Sequence, residues 1–135
     1  MIFSASSTHA LRAVAWLAAN GGGEAVLARE LAQRLDVPPD YLTKVLGTLA
    51  RHGILTASRG AGGGYRLARP PERIRIVEVV EPFEGKRVRP GCLLRPDHPC
   101  RDSNACSAHG AWGAVKRTYR TFLEETTIAD IRGGA

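Results

Sequence analysis

Three cysteines and one histidine carry the clearest chemistry in this chain. Cys92, Cys100 and Cys106 lie within a stretch of fifteen residues, and His109 follows the last of them at helical spacing. Thiolates bind soft transition metals strongly, and three of them on an irregular loop can surround one centre. With an imidazole they make a complete set of four ligands. These four residues therefore predict a metal-cofactor site.

The spacing of these ligands leaves the type of centre open. Seven residues separate Cys92 from Cys100, and five separate Cys100 from Cys106. Both intervals are longer than the Cys-x-x-Cys pairs of most zinc sites. They favour an iron-sulfur cluster over tetrahedral zinc. His98 and His9 compete with His109 as the fourth ligand.

Two other roles for the thiols fit the sequence less well. Pro96, Pro99 and many polar residues lie between the cysteines, which is unusual for thiols that only pack in an apolar core. A nucleophile pair of Cys106 and His109 would need an orienting third residue and an oxyanion site, and no motif supplies them. We therefore do not expect an enzyme.

Composition indicates a folded chain with an acidic partner. The 135 residues are 44% hydrophobic, and the net charge of +6 with a pI near 9.8 favours nucleic acid as partner, with a membrane surface second. An odd number of crowded cysteines makes a poor disulfide framework and indicates a reducing cytosol. No run of residues approaches the roughly 18 to 20 apolar residues of a membrane span. We expect a cytoplasmic protein without an exported or membrane form.

Hydrophobic spacing predicts a mainly α fold with a small β-hairpin. The strongest helical stripe is Leu42, Val45, Leu46 and Leu49. Helices are predicted over 6–19, 27–35, 40–52, 76–83 and 104–125, and strands over 54–58 and 65–68. In the last helix, residues three and four apart form a seam for a partner helix; they are Trp112, Val115, Tyr119 and Phe122.

The order helix, turn, helix, hairpin is that of a winged helix-turn-helix. Between residues 41 and 75 the sequence contains seven basic residues and one acidic residue. Phosphate binding requires such an excess of positive charge. The start of the third helix can reach base edges, and the hairpin tip can enter a minor groove. Tyr41 suits either core packing or a phosphate contact. The predicted DNA-binding residues are Asp40, Tyr41, Thr43, Lys44, Arg51 and Arg59.

The glycine run from Gly60 to Gly64 has a second interpretation as a nucleotide-binding loop. It lacks the Lys-Ser/Thr pair of a P-loop and leads into a strand pattern, so the helix N-terminus that holds the phosphate is absent. Glycines here are better explained by positive φ in the hairpin turn and by close approach to DNA.

Motifs along nearly the whole chain resemble the Rrf-type family of bacterial winged-helix regulators. The motifs are Ala10-Leu11-Arg12-Ala13, Tyr41-Leu42 followed by Leu46 and Leu49, Arg59-Gly60-x-Gly62-Gly63-Gly64-Tyr65-x-Leu67, Val79-Val80 with Glu84-Gly85, and the three-cysteine loop. The Arg-Gly-x-Gly-Gly-Gly-Tyr string is the most specific of them.

The resemblance implies a homodimer whose long C-terminal helices cross, with a cluster near that interface biasing the DNA-reading helices. By position, Thr43, Lys44 and Arg59 match the family's DNA-contacting sites, and the three cysteines match its cluster ligands. The Cys106-Ser107-Ala108-His109 run is similar to the arrangement in which a histidine completes the ligand set. Other members use an acidic residue from the first helix of the other subunit, where this chain has no carboxylate before Glu24. By the resemblance, that departure favours His109 as the fourth ligand and a 2Fe-2S cluster over a 4Fe-4S cluster.

Two features depart from the family pattern. The interval between Cys92 and Cys100 is longer than usual, which bears on ligand geometry and cluster type. Asp40, Thr43 and Lys44 also differ from the residues expected in members that bind a 2Fe-2S cluster, so no operator sequence carries over.

We expect residues 1–85 to form the winged helix-turn-helix, 86–109 the cysteine-bearing loop, and 104–135 the dimerisation helix and tail. The predicted function is a dimeric transcriptional regulator that binds double-stranded DNA at a two-fold symmetric operator. Its cluster would sense iron-sulfur supply, redox state or nitric oxide. The alternative is a winged-helix regulator without a cluster, whose cysteines serve zinc binding or thiol redox sensing.

Overall fold

Six α-helices and one antiparallel hairpin make up the computed structural model, which describes residues 2–133. The helices are α1 (Ala5–Asn20), α2 (Ala28–Leu35), α3 (Pro39–Arg51), α4 (Ile76–Glu84), α5 (His109–Glu125) and α6 (Ile128–Ile131), and the strands are β1 (Leu55–Ser58) and β2 (Gly64–Leu67). Single 3-10 turns lie at Pro71–Arg73, Gly85–Val88 and Asp102–Asn104. This architecture confirms the predicted fold class.

The turn between α2 and α3 is set by one left-handed residue and two prolines. Asp36 ends α2 with φ of 56°, and its N–H is bonded to carbonyls of the last turn. Pro39 occupies the start of α3, where a missing N–H removes no helical hydrogen bond. The predicted stripe of α3 is buried, with Leu42, Leu46 and Leu49 fully enclosed. The helix-turn-helix is therefore held by its apolar face.

The hairpin is joined to the helical core by an additional short pairing. Leu55 pairs with Leu67 and Ser58 with Gly64 across the two strands. Val26 and Tyr65 exchange backbone hydrogen bonds of 2.8 and 2.9 Å. Gly64 has φ of +133°, and a Cβ there would overlap the Val26 carbonyl, so this position requires glycine.

The end of the chain folds back onto the N-terminal helices. Ile128 N–H donates to the Ile74 carbonyl at 2.8 Å, and Ile76 N–H donates to the Thr126 carbonyl at 2.9 Å. Leu123 and Ile128 are buried in the same core as α1 to α4. We call this shared unit, residues 2–88 with 123–131, the reading head.

Within the described chain, no helix is both long and apolar enough to cross a bilayer.

The last long helix begins at His109, so the prediction that it starts at Asn104 was wrong. The segment before it contains a 3-10 turn at Asp102–Asn104 and an extended Ala105. Cys106 lies outside the helix, and its carbonyl accepts a bond from His109 N–H at 3.0 Å. Gly110 and Gly113 in the following turns favour helix weakly, which is consistent with a late start. Cys106 and His109 therefore do not share a helix face.

Candidate functional site

The outer face of α3 presents most of the predicted DNA-binding residues to solvent. Asp40, Thr43, Lys44 and Arg51 are all exposed. Thr43 Oγ1 donates to the Pro39 carbonyl at 2.8 Å, a bond that a base contact would have to replace or share. The opposite face of the helix is buried, so these side chains point away from the core. This exposed face has the geometry of a helix that can enter a major groove.

Arg59 lies exposed just after β1, at the start of the hairpin turn. Gly60 and Gly62 in that turn have φ of +86° and +75°, and a Cβ at either would meet nothing within 4 Å. Glycine is thus required there by backbone conformation and not by crowding. The tip is slim, and Arg59 is the charged side chain that it carries.

Tyr41 contacts α1, and its hydroxyl is already engaged. The hydroxyl lies 3.0 Å from His9 Nδ1 and 3.2 Å from Ser6 Oγ. The rings of His9 and Tyr41 meet edge to face, with centroids 5.3 Å apart. The half-buried Tyr41 thus ties the start of α3 to α1. In this chain the Nδ1 of His9 is a partner of Tyr41.

The cysteine segment brings His109 together with Cys100 and not with the nearer cysteine in sequence. Cys100 Sγ lies 3.0 Å from His109 Nδ1. The other ring nitrogen, His109 Nε2, lies 2.8 Å from a carboxylate oxygen of Asp102. Cys92 and Cys100 influence each other's pKa. The direct contacts therefore run from the Cys100 thiol through the His109 ring to Asp102.

The three thiols differ in their electrostatic surroundings. Backbone N–H groups of Leu94 and Arg95 lower the pKa of Cys92. Burial raises the pKa of Cys100, and the neighbouring thiols Cys92 and Cys106 act in the same direction. The ammonium of Lys116 on α5 opposes that rise. Cys92 is thus the thiol of this pair that ionises more readily.

Trp112 fastens the start of the segment that carries the thiols to α5. Trp112 Nε1 donates to the Gly91 carbonyl at 2.8 Å. Cys92 N–H donates to the His98 carbonyl at 2.8 Å and closes a turn. A Cβ at Gly91 would overlap the His98 carbonyl. We call residues 89–108 the cysteine loop; the imidazole of His98 in it is exposed.

Among residues 2–133, no group of three or more His, Cys, Asp or Glu side chains is arranged to hold a metal ion. Cys100 contacts His109 directly, whereas the thiols of Cys92 and Cys106 act on the pKa of Cys100. The chemistry of the donors nevertheless fits an iron-sulfur cluster, because three soft thiols and an imidazole lie on one short segment. A closed four-ligand geometry would require the loop to move Cys106.

The predicted seam of α5 divides into two parts. Trp112 binds the cysteine loop, and the Tyr119 ring packs near Phe3 with centroids 6.2 Å apart. Val115 and Phe122 are 55% and 43% exposed. They line an open apolar groove of about 910 Å³ with α1 and the residues before it. The seam is therefore only partly covered by this chain.

Sequence reasoning missed two residues of the thiol site. Asp102 holds the outer nitrogen of His109, and Lys116 lowers the pKa of Cys92 and opposes the rise at Cys100. Asp102 lies seven residues before its partner, and Lys116 lies on a different element. No local motif marks either one, since the contacts depend on how the loop folds against α5.

Comparison with known proteins agrees with this geometry. An HTH-type transcriptional regulator of Aquifex aeolicus is 35% identical over 97% of this chain and 91% of its own length. The HTH-type transcriptional regulator IscR of Cereibacter sphaeroides is 44% identical over 85% of this chain and 75% of its own length. These relatives are regulators of transcription.

Solved structures share the fold over almost the full length. CymR, the global cysteine regulator of B. subtilis, superposes with a TM-score of 0.83 at 21% identity, covering 98% of this chain and 97% of its own. T. potens IscR superposes with a TM-score of 0.73 at 25% identity, covering 95% and 83%. A family model described as "Iron-dependent Transcriptional regulator" matches residues 3–133. The exposed helix, the basic hairpin and the full-length match together place this chain in the Rrf2 family of DNA-binding transcriptional regulators.

Proposed function

We propose that this regulator senses its signal through an iron-sulfur cluster bound by Cys92, Cys100, Cys106 and His109, with 2Fe-2S favoured over 4Fe-4S. A bound cluster supplies a centre that is gained, lost or oxidised with iron-sulfur supply, redox state or nitric oxide. The residues of the chain would hold that centre and convey its state to α5. DNA binding itself follows from the family; the cluster, the dimer and the operator symmetry are proposals.

The observation that carries the proposal is the orientation of His109. Its Nδ1 faces the thiol of Cys100, while its Nε2 is held by Asp102. Histidines that bind metals usually donate their second nitrogen to a carboxylate or carbonyl, which fixes the tautomer and the ring direction. Asp102 does this here. His109 is thus oriented as a ligand with the cysteines on its free side.

A matched set of variants tests the ligand assignment. The protein is purified without oxygen, and iron, sulfide, zinc and visible absorption are measured. We expect iron and sulfide in the wild type and in His98→Ala, and loss or strong lability of both in His109→Ala and Cys100→Ser. A colourless wild type without iron and sulfide after reconstitution would overturn the cluster. Equal loss in His98→Ala and His109→Ala would overturn the choice of histidine.

The same site supports a second candidate, thiol redox sensing without a cluster. Cys92 and Cys100 influence each other's pKa, and Cys92 has the lower pKa of the two. One similar structure is described as the oxidized form of Staphylococcus aureus CymR. Treatment of the cluster-free protein with a disulfide reagent would yield a Cys92–Cys100 disulfide in this case. Peptide mapping by mass spectrometry identifies it, and Cys106→Ser serves as the control that leaves the pair intact.

We further propose a homodimer in which the apolar groove of α5 covers its counterpart. Val115 and Phe122 are large, apolar and exposed on one helix, and exposed apolar patches of this kind mark association sites. A two-fold dimer would place the two α3 helices on a two-fold symmetric operator. Phe122→Asp should give monomers by light scattering. Leu94 is also a large apolar side chain on the surface, in the cysteine loop, and Leu94→Asp should remain dimeric. A dimeric Phe122→Asp would overturn this interface.

The DNA-reading assignment is tested at the hairpin. On a duplex selected from a random library, Arg59→Ala should weaken binding by about 1 to 3 kcal/mol if the side chain reads the groove. Arg117→Ala removes the same charge from an exposed site on α5 and is the control. Equal binding by Arg59→Ala and the wild type across salt concentrations would remove Arg59 from the interface.

A further inference from the structure

A basic cavity of about 930 Å³ lies between α5, the cysteine loop and the segment that follows α4. Its charged lining consists of five cations and one carboxylate, namely Lys86, Arg87, Arg89, Lys116, Arg120 and Asp97. A volume of this order accommodates a small organic ligand. The cavity is separate from the α3 face and from the hairpin tip, and Cys100 is the one proposed cluster ligand in its lining.

Most of these cations have no partner of opposite charge. Arg89 pairs with Glu81 at 3.2 Å. For Lys86, Arg87, Lys116 and Arg120, no carboxylate of residues 2–133 lies within 4 Å. Five cations beside the single carboxylate of Asp97 give the cavity an excess of positive charge, and a bound anion reduces the repulsion among the cations.

The walls of the cavity are held in place by helix geometry and by hydrogen bonds. Lys116 and Arg120 are one turn apart on α5, so they project from the same side of the helix. Trp112 holds the opposite wall through the Gly91 carbonyl, and Cys92 N–H closes that wall through the His98 carbonyl. Two neighbouring like charges on a helix are unfavourable by themselves. Both residues line the cavity, so a bound anion would offset this unfavourable pair.

We propose that this cavity binds a small polyanion that carries phosphate. Guanidinium groups bind phosphate oxygens with two parallel hydrogen bonds, and an ammonium adds a point charge. Arg87, Arg120 and Lys116 supply both kinds of group. Binding at this place would also reach the thiols, because Cys100 lines the same cavity. Two ligands carry the phosphate oxygens that this lining would bind: a phosphorylated metabolite and inorganic phosphate.

The test measures binding of inorganic phosphate and pyrophosphate by calorimetry at constant ionic strength, with citrate as a polyanion that lacks phosphate. Saturable binding of pyrophosphate in preference to citrate is expected. Binding of pyrophosphate but not of inorganic phosphate would indicate that the ligand is a phosphorylated metabolite. Equal binding of both would indicate that the ligand is free phosphate. Failure of both to saturate would overturn the proposal.

The variants Lys116→Gln and Arg120→Gln should each weaken pyrophosphate binding by about ten- to hundredfold. Arg117→Gln is the matched control, because it removes one charge from the same helix outside the cavity lining. Equal losses in Arg117→Gln and Arg120→Gln would mean general charge attraction and overturn the site. Weaker binding of duplex DNA by Arg120→Gln, without saturation by pyrophosphate, would assign the surface to DNA backbone and overturn the small ligand.

The measurement also separates this site from the cluster. Cys106→Ser removes a proposed cluster ligand but no residue of the cavity lining. Pyrophosphate binding should persist in this variant whether or not the wild type holds iron. Loss of binding in Cys106→Ser, with binding intact in the wild type, would show that the anion depends on the cluster and overturn an independent site.

Discussion

The reading head and the cysteine loop are held together by different kinds of interaction. The head is built on fully buried side chains such as Leu42, Leu46 and Val80. In the loop, every residue from Leu93 to Pro99 is exposed, and its form depends on a few polar contacts. Burial of apolar surface stabilises one packed arrangement, whereas isolated polar contacts open at low cost in free energy. The loop is therefore the part of the molecule that rearranges at the lower cost in free energy.

The loop is nevertheless connected to the head at both ends. Val88 before it is 1% exposed, and Leu123 near the end of α5 is 2% exposed. Trp112 links the loop to α5 between these two anchors. A change at the thiols thus acts on a helix whose far end belongs to the DNA-reading core. This contrast of rigid anchors and a deformable insert leads to three predictions.

The largest effect is expected in the head. Leu46→Ala removes a fully buried side chain of α3 and should lower the free energy of unfolding by about 2 to 5 kcal/mol. Leu94→Ala, in the loop and 73% exposed, should change it by less than about 0.5 kcal/mol. Urea unfolding measures both. Similar losses in the two variants would contradict the division into a packed head and a loosely held loop.

The second effect is expected in the loop alone. Gly91→Ala puts a methyl group against the His98 carbonyl, so the turn that places Cys92 must open. We expect faster proteolysis within residues 89–108 and about ten- to hundredfold weaker retention of any bound iron, with the unfolding midpoint of the head nearly unchanged. Gly110→Ala is the control, since a Cβ there meets nothing within 4 Å. Equal protease resistance in wild type and Gly91→Ala would contradict this view of the turn.

The smallest effect concerns a carboxylate that joins α4 to α1. Burial raises the pKa of Glu84, but donors at Ser7 and Ser4 lower it more, so the net shift is downward from 4.5. Ser7 Oγ donates at 2.6 Å and Ser4 N–H at 2.7 Å. A lowered pKa stabilises the fold above the unfolded pKa, and that contribution is lost as pH falls through the folded pKa.

Glu84→Gln should therefore cost about 1 kcal/mol at neutral pH and less as the pH falls toward 3. Chemical unfolding at a series of pH values measures the difference between variant and wild type. Glu81→Gln, on the same helix and paired with the exposed Arg89, is the control and should cost less. A difference for Glu84→Gln that is independent of pH would remove this carboxylate from the acid response of the head.

Predictions from sequence were most accurate where a regular pattern reports burial directly. The stripe of α3 was confirmed, because helical periodicity and a core-facing surface are the same property. The hairpin was confirmed within one residue at each strand end. The start of α5 was wrong by five residues, since loop residues before a helix can continue its pattern without adopting its conformation.

The site was predicted in part. All four proposed ligands lie on or directly beside the cysteine loop, but the sequence paired His109 with Cys106 and the structure pairs it with Cys100. The outcome for Tyr41 was also open, and the structure places its hydroxyl against His9 and Ser6. In both cases the partner lies on a segment that sequence spacing does not bring near.

The sequence by itself determined the class of the protein and the chemistry available to it, because residue types, spacing and charge already encode an apolar helix face, a basic hairpin and three thiols. Only the tertiary structure decided which donors meet. Asp102 reaches His109, and Lys116 reaches the thiols, because the loop is folded against α5 by the Trp112 contact. Those contacts depend on where each side chain points. Packing between the loop and the helix sets that orientation, and the order of residues along the chain does not.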